Sequence, residues 1–146
     1  MSVLIIIDQT ENQIKKSSYE ALTYGVSVAH QLGTNADALV LGTVNDNLSE
    51  LGKYGVKKVY TISNTILNIV DAQVYAAAIA TATTETGANI LIFSHNQTGK
   101  AVAARVSARL QAGIVTGACS LPDTTNGFVV KKTVFSGKAF ANVSIN

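Results

Sequence analysis

The tract Ser94-His95-Asn96-Gln97-Thr98-Gly99-Lys100 places hydroxyl, imidazole, amide and ammonium groups side by side, directly after the apolar run Ile90-Leu91-Ile92-Phe93. Thr98-Gly99-Lys100 stands at the start of a helical pattern. The free backbone N–H groups of such a start can hold an anion, and Lys100 would add positive charge. The plainer reading is that Asn96 or Thr98 caps the helix with its side-chain oxygen. Arg105 and Arg109 lie one helical turn apart on one face, beside the apolar positions Val102, Val106 and Leu110. They form either a solvated basic edge or a face that meets a carboxylate on another domain or subunit.

Other chemistries lack their equipment. A metal site wants several His, Cys or carboxylate ligands, and beyond His95 the chain has only His30 as a further histidine. His95 is therefore expected to be a solvent-facing or hydrogen-bonded structural residue. Cys119 sits in an apolar pattern with no base beside it, and the expectation is a packed core thiol. A P-loop requires glycine five residues before Gly99-Lys100 and Ser or Thr after it, where Ser94 and Ala101 stand. The first strand-to-helix turn, DQTENQ, has no glycine to let a pyrophosphate approach. No G-x-S-x-G elbow is present.

The elements that must position these groups follow a strand–helix grammar. Val3 to Asp8 reads as a buried strand, followed by a polar loop with a turn at Glu11-Asn12. Ser17 or Ser18 is expected to cap a helix whose stripe is Tyr19, Leu22, Val26, Ala29 and Leu32, with Gly33 as its stop. Strands are expected over residues 36–42 and 57–63, with a short helix from Asp46 or Asn47 to Lys53 between them. An Ala-rich helix over 70–87, ended by Gly87, should turn Val70, Val74, Ala78 and Ala82 inward, with Tyr75 and Ile79 beside them. Then come the strand 90–93, the helix to about Ala112 and a fifth strand, Ile114 to Leu121. After Pro122, residues 128–135 and 139–145 alternate as an antiparallel pair. The fold class is α/β: a Rossmann-like, doubly wound, mostly parallel sheet in a single domain over 1–146, with a C-terminal antiparallel strand pair. In open sheets of this kind ligands sit beyond the carboxyl ends of the strands, which is why 94–100 draws attention. The chain stops directly after a strand pattern, a hint of truncation.

The chain is 47% hydrophobic and 14% charged with a net charge of +2, enough to bury a core. Its Lys and Arg are scattered, which gives no nucleic-acid signal. No stretch approaches the length of a membrane span. One cysteine fits a reducing, cytoplasmic compartment.

The order of several segments resembles the alpha subunit of electron-transfer flavoproteins. Leu51-Gly52-Lys53-Tyr54-Gly55-Val56-Lys57-Lys58-Val59 is similar to that family's KYGADKV segment. Gly99-Lys100 followed by Ala104-Arg105-Val106 and Arg109-Leu110 is similar to its GKDLAPRVAALL helix, and Phe135-Ser136-Gly137-Lys138-Ala139 to its IYAGNA strand turn. The chain departs from the family at Thr98, Ala103, Ala104 and Ala112. The resemblance implies an adenine-nucleotide-hydrolase-like fold, a beta-subunit partner in a heterodimer, and electron transfer from flavin-dependent dehydrogenases. It implies FAD in the full-length protein, held by a C-terminal domain absent here, so no cofactor is expected in this chain, and no enzymatic residues. On this reading Asn96, Thr98, Gly99, Lys100 and Arg105 are interface or anion contacts. The alternative is a small nucleotide-binding module of the universal-stress-protein type.

Overall fold

The computed structural model describes residues 2–145. Strand β1 (Ser2–Ile7) lies at the centre of a four-stranded parallel sheet in the order β5-β4-β1-β6, with β4 at Asn35–Leu41, β5 at Val59–Ile62 and β6 at Ile90–Ile92. Helix α1 spans Lys16–Gln31, α2 Ala72–Thr86 and α3 Gln97–Leu110. The two-residue strands β2 (Gln9–Thr10) and β3 (Gln13–Ile14) form a small hairpin. Its turn residues Glu11 and Asn12 are at φ 50° and 61°, which is the turn placed there from sequence.

The apolar run of β1 alternates between two cores. Val3, Ile5 and Ile7 pack with Leu22, Val28 and Ala29 of α1. Leu4 and Ile6 pack with Tyr75 and Ile79 of α2 and with Val102 and Val106 of α3. A strand covered on both faces has no polar face, so its sequence reads as continuous rather than alternating. The doubly wound architecture is as expected.

Three elements differ from the sequence reading. Residues 114–121 form no strand, so of the four or five parallel strands expected the sheet has four. Ala118 makes one antiparallel bridge to Lys132, and the Cys119 N–H donates to the Lys131 carbonyl. Gly113, Gly117 and Pro122 break the run, and it follows β7 (Phe128–Val134) instead of entering the main sheet. Cys119 is consequently exposed, its thiol donating to the Lys131 carbonyl at 3.3 Å, and not a core residue. The cap position of α1 is Lys15, with no side-chain cap, because Ser18 is fully buried and bonded to the end of β1. In α2 the buried positions are Tyr75, Ala76, Ile79, Ala82 and Thr83, with Val74 and Ala78 partly buried beside them, so the face is centred on the Tyr75–Ile79 side of the expected stripe and Val70 is exposed.

β7 pairs along its length with β8 (Ala139–Ile145) as the expected antiparallel pair. This ribbon is its own two-stranded sheet. It is tied to the body by the Asp123–Val129 bridge, by Tyr24 Oη donating to the Ser120 carbonyl and by Gln31 donating to the Pro122 carbonyl.

Candidate functional site

Chain order and sheet order together place a switch point between β1 and β6, where successive crossovers leave in opposite directions. The residues at their carboxyl ends, Asp8 and Ser94, face the first turns of α1 and α3. This is the crevice that the tract 94–100 was expected to line.

Asn96 holds the crevice together. Its side-chain oxygen accepts from the Gly99 N–H at 2.9 Å, which makes Asn96, not Thr98, the cap of α3. Its amide donates to Asp8 Oδ2 at 2.8 Å and to Ser17 Oγ at 3.2 Å. Lys15 Nζ reaches the same Asp8 oxygen at 3.0 Å. The Ser94 hydroxyl donates to the Ser17 carbonyl at 3.1 Å. Behind the carboxylate, the Asp8 N–H donates to Ser18 Oγ, whose hydroxyl donates back to the Asp8 carbonyl, both at 2.9 Å. Sequence reasoning missed Asp8 and Lys15 as parts of this site and read Ser17 or Ser18 only as a helix cap, since Asn96, which bonds Asp8 and Ser17, lies far along the chain.

Asp8 Oδ1 is buried without a hydrogen-bond partner, alone in this among the described residues. It borders a cavity of about 20 Å³ whose walls are mostly apolar, from Ile6, Tyr75, Ile79, Phe93 and Val102. That volume holds about one water molecule. Neither a flavin nor a nucleotide phosphate fits here: the space is too small, and the orphaned carboxylate oxygen would repel an anion.

Thr98 and Gly99 line the same cavity, half-buried at its rim, while Lys100 is exposed. Arg105 is exposed and donates one N–H to the Ala101 carbonyl of its own helix at 2.7 Å. His95 is exposed beside Gly117. Among the described residues no three His, Cys, Asp or Glu side chains converge as a metal site. Nor is any helix among them long and apolar enough to cross a membrane.

The electron transfer flavoprotein domain family matches residues 3–146. The chain is 28% identical over 142 residues to the electron transfer flavoprotein subunit alpha of Syntrophomonas wolfei, covering 97% of this chain and 44% of that one. It is 26% identical to the alpha subunit of Bacillus subtilis, again over 97% of this chain and 43% of the relative. It is 24% identical to the LctC subunit of the lactate dehydrogenase (NAD(+),ferredoxin) of Acetobacterium woodii, over 97% of this chain and 34% of that subunit. The chain thus spans less than half the length of these relatives. A solved universal stress protein from Archaeoglobus fulgidus aligns at a TM-score of 0.49 with 14% identity, over 75% of this chain and 92% of that one, a likeness too loose to bear on function. A match that runs through essentially all of this chain settles its kinship: it belongs to the electron transfer flavoprotein domain family, as an N-terminal domain of the alpha-subunit type.

Proposed function

We propose that this chain is the platform of an electron-transfer flavoprotein. It is the N-terminal domain of the alpha subunit, on which a C-terminal FAD domain and a beta subunit of similar fold are seated, working in the cytoplasm. In that assembly the flavin carries electrons from flavin-dependent dehydrogenases, and the protein supplies its position and electrostatics. The observation that supports the reading best is the closed switch-point crevice. The place where this architecture usually grips a ligand is filled by the chain's own Asp8–Asn96–Lys15 network. Thr98, Gly99, Lys100 and Arg105, at the rim and outer face of α3, are the contacts we assign to the rest of the assembly, with Asn96 setting the angle of that helix.

Co-expression with the beta subunit and with the full-length alpha subunit tests this. The expected result is that the beta subunit co-purifies with this chain, while flavin absorbance appears only when the C-terminal domain is supplied. Stoichiometric FAD bound to this chain alone would overturn the assignment of roles. Binding of ATP or AMP to it in calorimetry would favour a nucleotide-binding module.

A further inference from the structure

A second cavity, of about 310 Å³, opens between the hairpin β2–β3, the first turns of α1 and the 3₁₀ helix Leu48–Tyr54. We infer that this cavity binds a cation carrying N–H donors, of the guanidinium or alkylammonium type. Its volume is at the lower end of the range of small-ligand pockets. It lies apart from the switch-point crevice and does not depend on the platform reading.

Four acceptor side chains meet there: Tyr19 from α1, Asp46 from the loop before the 3₁₀ helix, and Glu50 and Tyr54 from that helix. Asp46 is fixed by accepting the Ile14 N–H on Oδ2 at 2.6 Å, which leaves Oδ1 uncommitted. Glu50 pairs through Oε2 with Lys53, which leaves Oε1 uncommitted. The rings of Tyr19 and Tyr54 lie 5.1 Å apart, tilted by 42°. Burial pushes the Tyr19 phenol above its usual pKa, and Asp46, then Tyr54 and Glu50, push it further. Two carboxylates against the single ammonium of Lys53 leave the wall with one negative charge in excess. Leu51 and Ile14 supply an apolar floor for an alkyl stem. Aromatic faces, carboxylates and a greasy base are the combination that recognises organic cations, and they disfavour anions and offer little to neutral polar molecules. Lys53 already occupies one carboxylate oxygen, so it is the internal competitor of any incoming cation.

Ring-proton shifts of Tyr19 and Tyr54, followed by NMR during titration of the protein, test this. The probes are methylguanidinium, its neutral isostere methylurea, and a terminally blocked tripeptide with a central arginine. Methylguanidinium should give saturable shifts at both tyrosines, and methylurea none. Glu50→Gln should weaken binding roughly fivefold, and Lys53→Met should tighten it about threefold by removing the competitor. Tripeptide binding equal to that of methylguanidinium identifies the ligand as a side chain of another protein. Binding confined to methylguanidinium identifies a free small molecule. Equal response to methylurea, no saturable shift, or no tightening in Lys53→Met with an unchanged melting temperature would overturn the inference.

Discussion

Gly99 has no room for a side chain. A Cβ there would lie 1.9 Å from the backbone carbonyl oxygen of Ser94, which cannot rotate away. The contact seats the first turn of α3 on the end of β6 and brings Asn96 within reach of Asp8. Gly99→Ala should therefore lift the helix start off the strand and cost about 3 kcal/mol, at the upper end of overpacking penalties. The midpoint of chemical denaturation reads this directly, and an unchanged midpoint would mean that the turn relaxes freely. At this scale the sequence revealed only half of the site. A polar residue before a helical pattern announces a cap, so Asn96 was legible. Its second bond, to Asp8, joins residues 88 positions apart and leaves no local trace. Cys119 was misread because its apolar neighbours resembled a core strand, while the actual run lies along the outside of β7.

The second helix shows how an element can be foreseen and the centre of its buried face only approximated. Alanine and threonine surround α2 on nearly every side, so periodicity offers no contrast from which to choose the buried stripe. Its far end carried a clearer signal in Gly87, which takes the left-handed conformation at φ 66°, whereas its start is set by Asp71, inside the expected range, whose side chain accepts from the Gln73 and Val74 N–H groups. What fixes the rotation of the helix is Tyr75, whose hydroxyl donates to the Leu67 carbonyl at 2.7 Å and so ties the 3₁₀ turn Thr65–Asn68 to the core. Tyr75→Phe strands that carbonyl and should cost about 1–2 kcal/mol near neutral pH. Burial raises the Tyr75 phenol above its ordinary value of 10.0; a hydrogen bond with Gln9 opposes this, and the Asp8 charge adds to it. A raised folded-state pKa means that the native state holds the proton more tightly than the unfolded chain. The contribution is therefore complete below the unfolded value and is lost as pH climbs through the folded one. Denaturation midpoints measured between neutral and strongly alkaline pH should fall less steeply for Tyr75→Phe than for the parent. Parallel curves would remove Tyr75 from the alkaline limb.

Taken whole, the molecule keeps its unsatisfied apolar surface away from its cores. Phe135 is 81% exposed at a φ of 50°, a conformation that bulky residues rarely adopt, and Phe140 and Ile69 are exposed at 61% and 79%. Lys131 Nζ lies 4.3 Å from the Phe140 ring centroid and covers part of that face, whereas Phe135 is left to solvent and contributes little to folding. Phe135→Ser should leave stability within about 0.5 kcal/mol, as for other surface changes. On the platform reading it should lower the yield of co-purified beta subunit. Equal yields would place the interface elsewhere on the domain. The layered architecture was legible because each apolar run was bounded by turn residues. The attachment of the ribbon was not, since it rests on two isolated bridges and a few side-chain bonds to carbonyls.

The central position of β1 bears on how the chain is made. Its neighbours in the sheet are β4 and β6, and pairing with the latter ends at Ile92. During synthesis β1 precedes both of its partners: β4 can cover one edge once Leu41 has been made, and the other edge stays bare until Ile92 has been translated. Chaperone capture or stalled, sticky nascent chains are the hazards of that interval, and slowing translation between Leu41 and Ile90 would prolong it.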